Sequence, residues 1–311
     1  MTSPRGAEVA AILAKDYLTG EGFAVVPTAA GWWATTPVPS AMARHYPGHY
    51  YGEKVRRYPW LVEWLQSALY RRRARWVTRE SGFGGKVLDI GCGPGHLLAH
   101  FRALGWRTVG TEFSPAAADL PRRRYGLDVR TGNLGDMDFP VESFDAVISW
   151  HTLEHMRDPR SVLEQSARLL KGGGLFLVSV PDFSSPEAQV KPSAWFHLDV
   201  PRHLVHFPAA CLREQLRQCG FKIEAESYWA PEYDAFSLMQ TWQNRMGLAH
   251  NLLYLLLKSA PPSGAARAAR WQLAVAVVGG GLMLPFSAVV TLWRALTKRG
   301  AVIVLLARKI K

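Results

Sequence analysis

Cysteine is scarce in this chain. Three residues in 311, Cys92, Cys211 and Cys219, show no metal-ligand spacing and no paired framework. Neither a disulfide scaffold nor a cysteine-held zinc is expected, which fits a reducing cytoplasm. Acidic residues are also few, 25 against 37 Lys and Arg, leaving a formal net charge of +12. The opening stretch Met1–Lys15 mixes Arg5, Glu8 and Lys15 with small residues. It lacks the long apolar core of a secretory signal. Internal repeats and long low-complexity tracts are missing too, so neither a solenoid nor a disordered linker organises the chain.

The most informative feature present is Val87-Leu88-Asp89-Ile90-Gly91-Cys92-Gly93-Pro94-Gly95-His96-Leu97-Leu98. An apolar run carrying an acid leads into three glycines at alternate positions, and these open an apolar helix. The pattern reads as strand, tight turn, helix. Glycines there let a ligand lie against the backbone, and the helix start offers free N–H groups. A dinucleotide turn wants a glycine at the sixth position, where this chain has His96. The carboxylate of Asp89 suits a ligand bearing a cationic amino group.

This stretch resembles motif I of the class I S-adenosylmethionine-dependent methyltransferases, and the following residues extend the resemblance from about Lys86 to Ser227. Arg107–Thr111 reads as a strand ending in Glu112, an acid about 20 residues beyond the turn and placed to accept from ribose hydroxyls. Asp128-Val129-Arg130 is a short third strand. Asn133 follows, where the family usually has an acid that meets the adenine amine; its carbonyl oxygen can still accept. Ser143–Trp150 is a buried strand. Asp158–Leu170 is an amphipathic helix capped by Asp158 with Pro159 in its first turn. Lys171-Gly172-Gly173-Gly174 ends that helix, and Leu175–Val180 is the next strand. Phe221–Tyr228 is a sixth strand, and Ala301–Arg308 a last one that the resemblance inserts antiparallel between the fifth and sixth. The implied cofactor is S-adenosyl-L-methionine, held by Asp89, Gly91, Cys92, Gly93, Gly95, Glu112, Phe113, Asn133, Leu134 and Trp150.

The chain before this core differs in character. Phe23–Val26 and Trp32–Thr35, joined at Ala29-Ala30-Gly31, suggest a β-hairpin, and the tyrosine-rich Tyr46–Gly52 follows. The segment is similar to the leader of a methyltransferase subgroup that carries a zinc ribbon here. The ribbon cysteines are absent, so zinc is not expected. A helix is expected from Pro59 to Arg79, with Trp60, Leu61, Trp64, Leu65, Ala68, Leu69, Trp76 and Val77 as its apolar stripe. It reads as a lid over the core, with Arg71-Arg72-Arg73-Ala74-Arg75 on the solvated face. The alternative is a helix lying on an anionic membrane.

Residues from about Ala230 to Arg299 form an apolar insertion before the last strand. Met246–Leu257 and Leu273–Trp293 carry no charge. The second run could cross a bilayer at about 1.5 Å per residue. A single crossing is excluded if Ala301–Arg308 returns to the same sheet. Gly279-Gly280-Gly281 and Pro285 interrupt the run and suggest a helical hairpin dipping part-way, flanked by Arg267, Arg270, Arg294, Lys298 and Arg299. The alternative is a pair of helices roofing an apolar pocket.

Methyl transfer from a sulfonium needs alignment, and an alcohol or phenol acceptor also benefits from a base. His151 stands just past the fourth strand, at the carboxyl edge where such sheets bind ligands, and is the first candidate. His155, and His203 with His206 in the Pro-Arg-His-x-x-His-Phe segment, are the others. Ubiquinone-type O-methyltransferases have a similar Glu-His pair after this strand, with an acid three residues earlier that some use for a divalent cation. Here that earlier position is His151, so no metal is assigned to His151, Glu154 and His155.

The expectation is therefore an α/β protein with a Rossmann-like seven-stranded sheet and an antiparallel last strand. Residues 1–80 form the hairpin and lid, 81–229 the core, 230–299 the insertion and 300–311 the final strand. The activity expected is methylation, O-methylation favoured, of a small apolar or lipid-like acceptor, on the inner face of a membrane. Partner nucleic acid is not expected: Arg122, Arg123 and Arg124 make no recognisable binding module, and Ser149-Trp150-His151-Thr152 replaces any Asn-Pro-Pro-Tyr motif. A nucleic-acid methyltransferase and a non-enzymatic scaffold remain the alternatives. Oligomeric state and acceptor identity are open.

Overall fold

A computed structural model describes residues 10–46, 60–82, 84–257 and 269–310. The expectations for the opening residues 1–9, for Pro47–Gly52 and for Arg267 fall outside these.

The chain begins with a small antiparallel sheet. Strand β1 (Ile12–Lys15) pairs with β2 (Gly22–Pro27), and β3 (Trp33–Thr36) returns along β2. The Thr28 N–H donates to the Trp32 carbonyl at 2.9 Å and closes the hairpin where Ala29-Ala30-Gly31 suggested it. Helix α1 (Trp60–Ser81) follows. Its buried face is Arg73, Ala74, Val77 and Thr78, while Trp60, Trp64 and Leu65 stay exposed. The expected apolar stripe is thus corrected: only the C-terminal half of the helix lies on the sheet. The expected solvated run is corrected at Arg73, which helical phase places on the Ala74–Val77 face.

The core alternates strand and helix: β4 (Lys86–Ile90), α2 (His96–Ala103), β5 (Arg107–Glu112), α3 (Pro115–Tyr125), β6 (Asp128–Thr131), β7 (Phe144–Trp150) and α4 (Pro159–Leu169). Local chemistry sets these boundaries. Ser114 accepts from the Ala117 N–H ahead of Pro115, and Asp158 accepts from the Ser161 N–H ahead of Pro159. Strand β8 (Leu170–Pro181) starts directly at the end of α4. Lys171–Gly174, expected to end the helix ahead of a strand at Leu175, is therefore already part of the strand. Leu170 pairs with Phe144, and a bulge between Phe144 and Ala146 absorbs the extra residues. Then come α5 (Pro186–Val190), the two-residue β9 (Val205–His206), α6 (Ala209–Gln218) and β10 (Phe221–Ser227).

The insertion contains α7 (Pro231–Arg245), the short α8 (Leu252–Leu257) and α9 (Arg270–Leu296), and β11 (Val302–Lys309) closes the sheet. The strand order is β6-β5-β4-β7-β8-β11-β10, with β11 antiparallel to both β8 and β10, as expected. Two apolar layers flank this sheet. Ala74, Val77, Leu98, Phe101 and Ala118 of α1, α2 and α3 cover one face. Val162, Leu163, Leu212 and Leu216 of α4 and α6 cover the other.

Helix α9 corrects the part-way hairpin. It runs unbroken for 27 residues through Gly279–Gly281 and Pro285. A wide turn at Val275–Gly279 absorbs the irregularity, and the Gln243 amide donates to the Ala276 carbonyl at 2.9 Å. Gly280 allows close packing: a Cβ there would lie 2.9 Å from Leu253 Cδ2. Small residues face inward, namely Ala276, Gly280, Ser287 and Thr291. Large apolar side chains, including Leu282, Leu284, Phe286, Val289 and Leu296, face outward.

Candidate functional site

The carboxyl ends of β4, β5 and β7 meet at the glycine turn. Asp89 is buried within β4, and burial together with the nearby Glu112 pushes its carboxyl up to about 8. Such a carboxyl suits a cationic partner, which would restore its charge. Glu112 accepts from the Gly93 N–H at 3.1 Å and from the Ser114 N–H at 3.4 Å, so it ties the glycine turn to the end of β5. Gly91, Gly93 and Gly95 all have positive φ, a region that only glycine adopts readily. At Gly91 a Cβ would also sit 2.4 Å from Thr152 Cγ2, and at Gly95 2.6 Å from Pro121 Cβ. At Gly93 it would meet nothing within 4 Å. Two glycines therefore serve packing, and the middle one borders open space. Helix α2 starts at Gly95 with no side-chain cap, leaving its first N–H groups for a ligand.

The remaining turn residues surround this space unequally. Cys92 is buried, its N–H bonded to the Thr111 carbonyl at 2.9 Å, and burial pushes its thiol far up, so it is inert. Phe113 is exposed and Leu134 buried. Asn133 donates its amide to Asp136 at 3.0 Å, which leaves its carbonyl oxygen free to accept. Trp150 ends β7 beneath the guanidinium of Arg73, 3.9 Å from the ring centroid.

His151 follows with φ of +50°, an uncommon conformation for a side chain with a Cβ and costly by about 1–3 kcal/mol. It is held by two bonds. Its N–H donates to the Ser179 carbonyl at 2.9 Å, and Nδ1 lies 3.1 Å from Glu154 Oε1. Burial opposes ionisation of Glu154, but the hydrogen bond and charge of His151 outweigh it and pull the carboxyl down to about 2. With Nδ1 donating to that carboxylate, Nε2 is the nitrogen with the lone pair. Nε2 is buried and unpartnered among the described residues, as are Glu154 Oε2 and His197 Nε2. Tyr233 of α7 lies over the His151 ring, centroids 4.1 Å apart, and its hydroxyl receives the Trp150 indole N–H at 3.3 Å.

The second histidine segment is built into the fold. Arg202 is fully buried between Asp16 at 2.9 Å and Asp199 at 2.7 Å, with Tyr17 against its face. It anchors the N-terminal sheet to the core. His206 lies in β9, which pairs with β3, and its Nε2 is 3.0 Å from Thr35 Oγ1. His203 bonds the His197 carbonyl through Nδ1 at 2.7 Å. Burial lowers His203 to about 4 and His206 to about 3, so both are neutral at pH 7. A cation could find ligands here: atoms of Glu154, His155 and His203 lie within 4.8 Å of one another. In that group His203 stands where the residue spacing pointed to His151.

The comparisons with known proteins agree with this geometry. Residues 61–226, more than half of the chain, match the family model described as "Methyltransferase domain". The chain belongs to that family. Its cofactor is accordingly S-adenosylmethionine. A Mycolicibacterium smegmatis protein named "Probable S-adenosylmethionine-dependent methyltransferase" is 32% identical over 142 residues, 45% of this chain and 53% of that protein. A Bradyrhizobium "Ubiquinone biosynthesis O-methyltransferase" is 37% identical over 115 residues, 35% of this chain and 44% of the relative. A Tropheryma whipplei "Demethylmenaquinone methyltransferase" is 32% identical over 136 residues, 42% and 55% of the two chains. The chain thus spans about half the length of these curated relatives. Among solved structures, one from Galdieria sulphuraria, provisionally named a sarcosine dimethylglycine methyltransferase, shares the fold. Its TM-score is 0.50 at 16% identity, over 77% of this chain and 86% of that one.

Sequence reasoning missed Arg73, Tyr233 and His197. For Arg73 a signal existed, since it falls in phase with Ala74 and Val77. Tyr233 packs on His151 through the insertion, and His197 comes within electrostatic range of it through the loop before β9, so no local pattern marks them.

Proposed function

We propose that this chain transfers a methyl group to a hydroxyl of a small, apolar, quinone-like or lipid-like acceptor. The observation that carries this reading is the His151–Glu154 pair, with a buried and unpartnered Nε2 at the carboxyl edge of β7. The names of the ubiquinone and demethylmenaquinone relatives support the acceptor class.

When bound, S-adenosylmethionine supplies an electrophilic methyl group on a sulfonium. Asp89 would hold the donor's amino group, Glu112 the ribose, and the N–H groups of the glycine turn the remainder. Cys92, Phe113, Asn133, Leu134 and Trp150 complete the pocket wall. His151 Nε2 accepts the proton of the acceptor hydroxyl as its oxygen attacks, and Glu154 stabilises the resulting imidazolium. His203 and His206, neutral and engaged with the His197 carbonyl and Thr35, support the wall rather than exchange the proton.

Helix α9 supports a placement on the inner face of a membrane. Its polarity is inverted, with small and hydroxyl residues inward and large apolar ones outward. Arg270 lies at one end and Lys298 and Arg299 at the other, suited to anionic headgroups along an in-plane helix, while Arg294 is turned inward to the buried Glu187.

Methyl-labelled donor and a panel of hydroxylated quinones and catechols test the reading. Label in an ether of the product is expected. Label on nitrogen or carbon, or transfer to polynucleotide alone, would overturn it.

A further inference from the structure

Helix α1 carries Arg72, Arg75 and Arg79 at i, i+3 and i+7, a single row on one helical face. That row forms one wall of a groove of about 510 Å³. Trp229, just beyond β10, stands in the other wall, and Trp76 and Trp150 also line it. The charges in the groove are not balanced from within. Arg73, the next guanidinium, is already engaged by Glu232. Among the described residues the one carboxylate that Arg79 meets is its exposed neighbour Glu80, at 3.2 Å. Among the described residues no carboxylate pairs with Arg72 or Arg75. Like charges one turn apart repel, and a bound anion would turn that repulsion into attraction.

Guanidinium groups present planar forks that match tetrahedral oxyanions, and a phosphate has enough oxygens to engage three forks at once. Indole walls beside the forks suit an apolar body attached to the anion. We propose that this groove binds the phosphate group of a ligand with an apolar body. The ligand is either a phospholipid headgroup or a soluble phosphorylated molecule. The inference stands apart from the identity of the methyl acceptor, although the groove shares Trp150 with the turn that carries His151.

The test uses the full chain and an Arg72→Gln/Arg75→Gln variant, with pyrophosphate as the probe in calorimetry. Unchanged S-adenosylmethionine binding in the variant establishes that it is folded. Pyrophosphate should bind the unmodified chain and bind the variant at least tenfold more weakly. Vesicles of phosphatidylglycerol and of phosphatidylcholine then separate the sources. A matching loss of preference for phosphatidylglycerol identifies a lipid headgroup; an unchanged preference identifies a soluble phosphorylated ligand. Equal pyrophosphate binding by both proteins, or by neither, overturns the proposal. So does a loss of vesicle preference without pyrophosphate binding, which reports diffuse surface charge.

Discussion

Tyr233 covers the ring of His151, their centroids 4.1 Å apart and the planes tilted by 35°. One residue comes from the first turn of α7 and the other from the turn after β7, 82 positions earlier in sequence. The insertion therefore forms part of the wall around the candidate base. Remodelling α7 should alter the chemical step as well as acceptor binding.

His151→Ala should lower turnover by about 10²–10⁴-fold, the usual contribution of a positioned base, and leave donor affinity nearly unchanged. Glu154→Gln should lower turnover less, because the ring keeps a hydrogen-bond partner but loses the charge that stabilises its protonated form. Steady-state kinetics and donor titration check both. Undiminished turnover in His151→Ala would remove the base from the mechanism.

Asp89→Ala and Glu112→Ala should each weaken S-adenosylmethionine binding. Loss of a hydrogen bond to a charged group costs about 1.5–3 kcal/mol, or roughly ten- to hundredfold in affinity. Calorimetry on both variants measures this, and wild-type affinity in the pair would refute the assigned roles. Glu112→Ala should in addition lower the melting temperature, since its carboxylate ties Gly93 to Ser114.

Acid should destabilise the fold from below about pH 6.5. Burial keeps His197 and His206 near 3 and His203 near 4. Between those values and the unfolded value near 6.5 the unfolded chain binds more protons, so stability falls as pH drops through that window. At pH 5 each such histidine costs on the order of 2 kcal/mol. Urea unfolding of His206→Gln at pH 7 and pH 5 should show a smaller pH dependence than the unmodified chain. An identical pH dependence would mean that His206 is not held neutral.

Helix α9 should carry the protein onto anionic vesicles. Leu282→Glu with Leu292→Glu places charge on its outward face, where Leu282 is 77% exposed and Leu292 50%. Folding should survive, and co-sedimentation should be lost. Vesicle binding that persists in this variant would show that another surface makes the contact, and an unmodified chain that ignores vesicles would remove the membrane placement.

The sequence by itself determined the strands and turns whose causes are local. Apolar runs announced β4, β5 and β7; Asp158 and Pro159 announced α4; the alternate glycines announced a tight turn. The family resemblance that these elements carry implied the sheet and its antiparallel β11. Tertiary structure alone decided what depends on distant partners. Arg73 is buried because Glu232 and Trp150 receive it, which a run of arginines does not disclose. Gly279–Gly281 and Pro285 read as a break, yet α9 continues because Gln243 satisfies a carbonyl of its wide turn and Leu253 packs where Gly280 has no Cβ. His206, a candidate base by its sequence, lies in a strand with its Nε2 3.0 Å from Thr35 Oγ1, 171 positions away. In each case the deciding energy comes from packing and hydrogen bonds between segments far apart in sequence, and local periodicity carries no record of them.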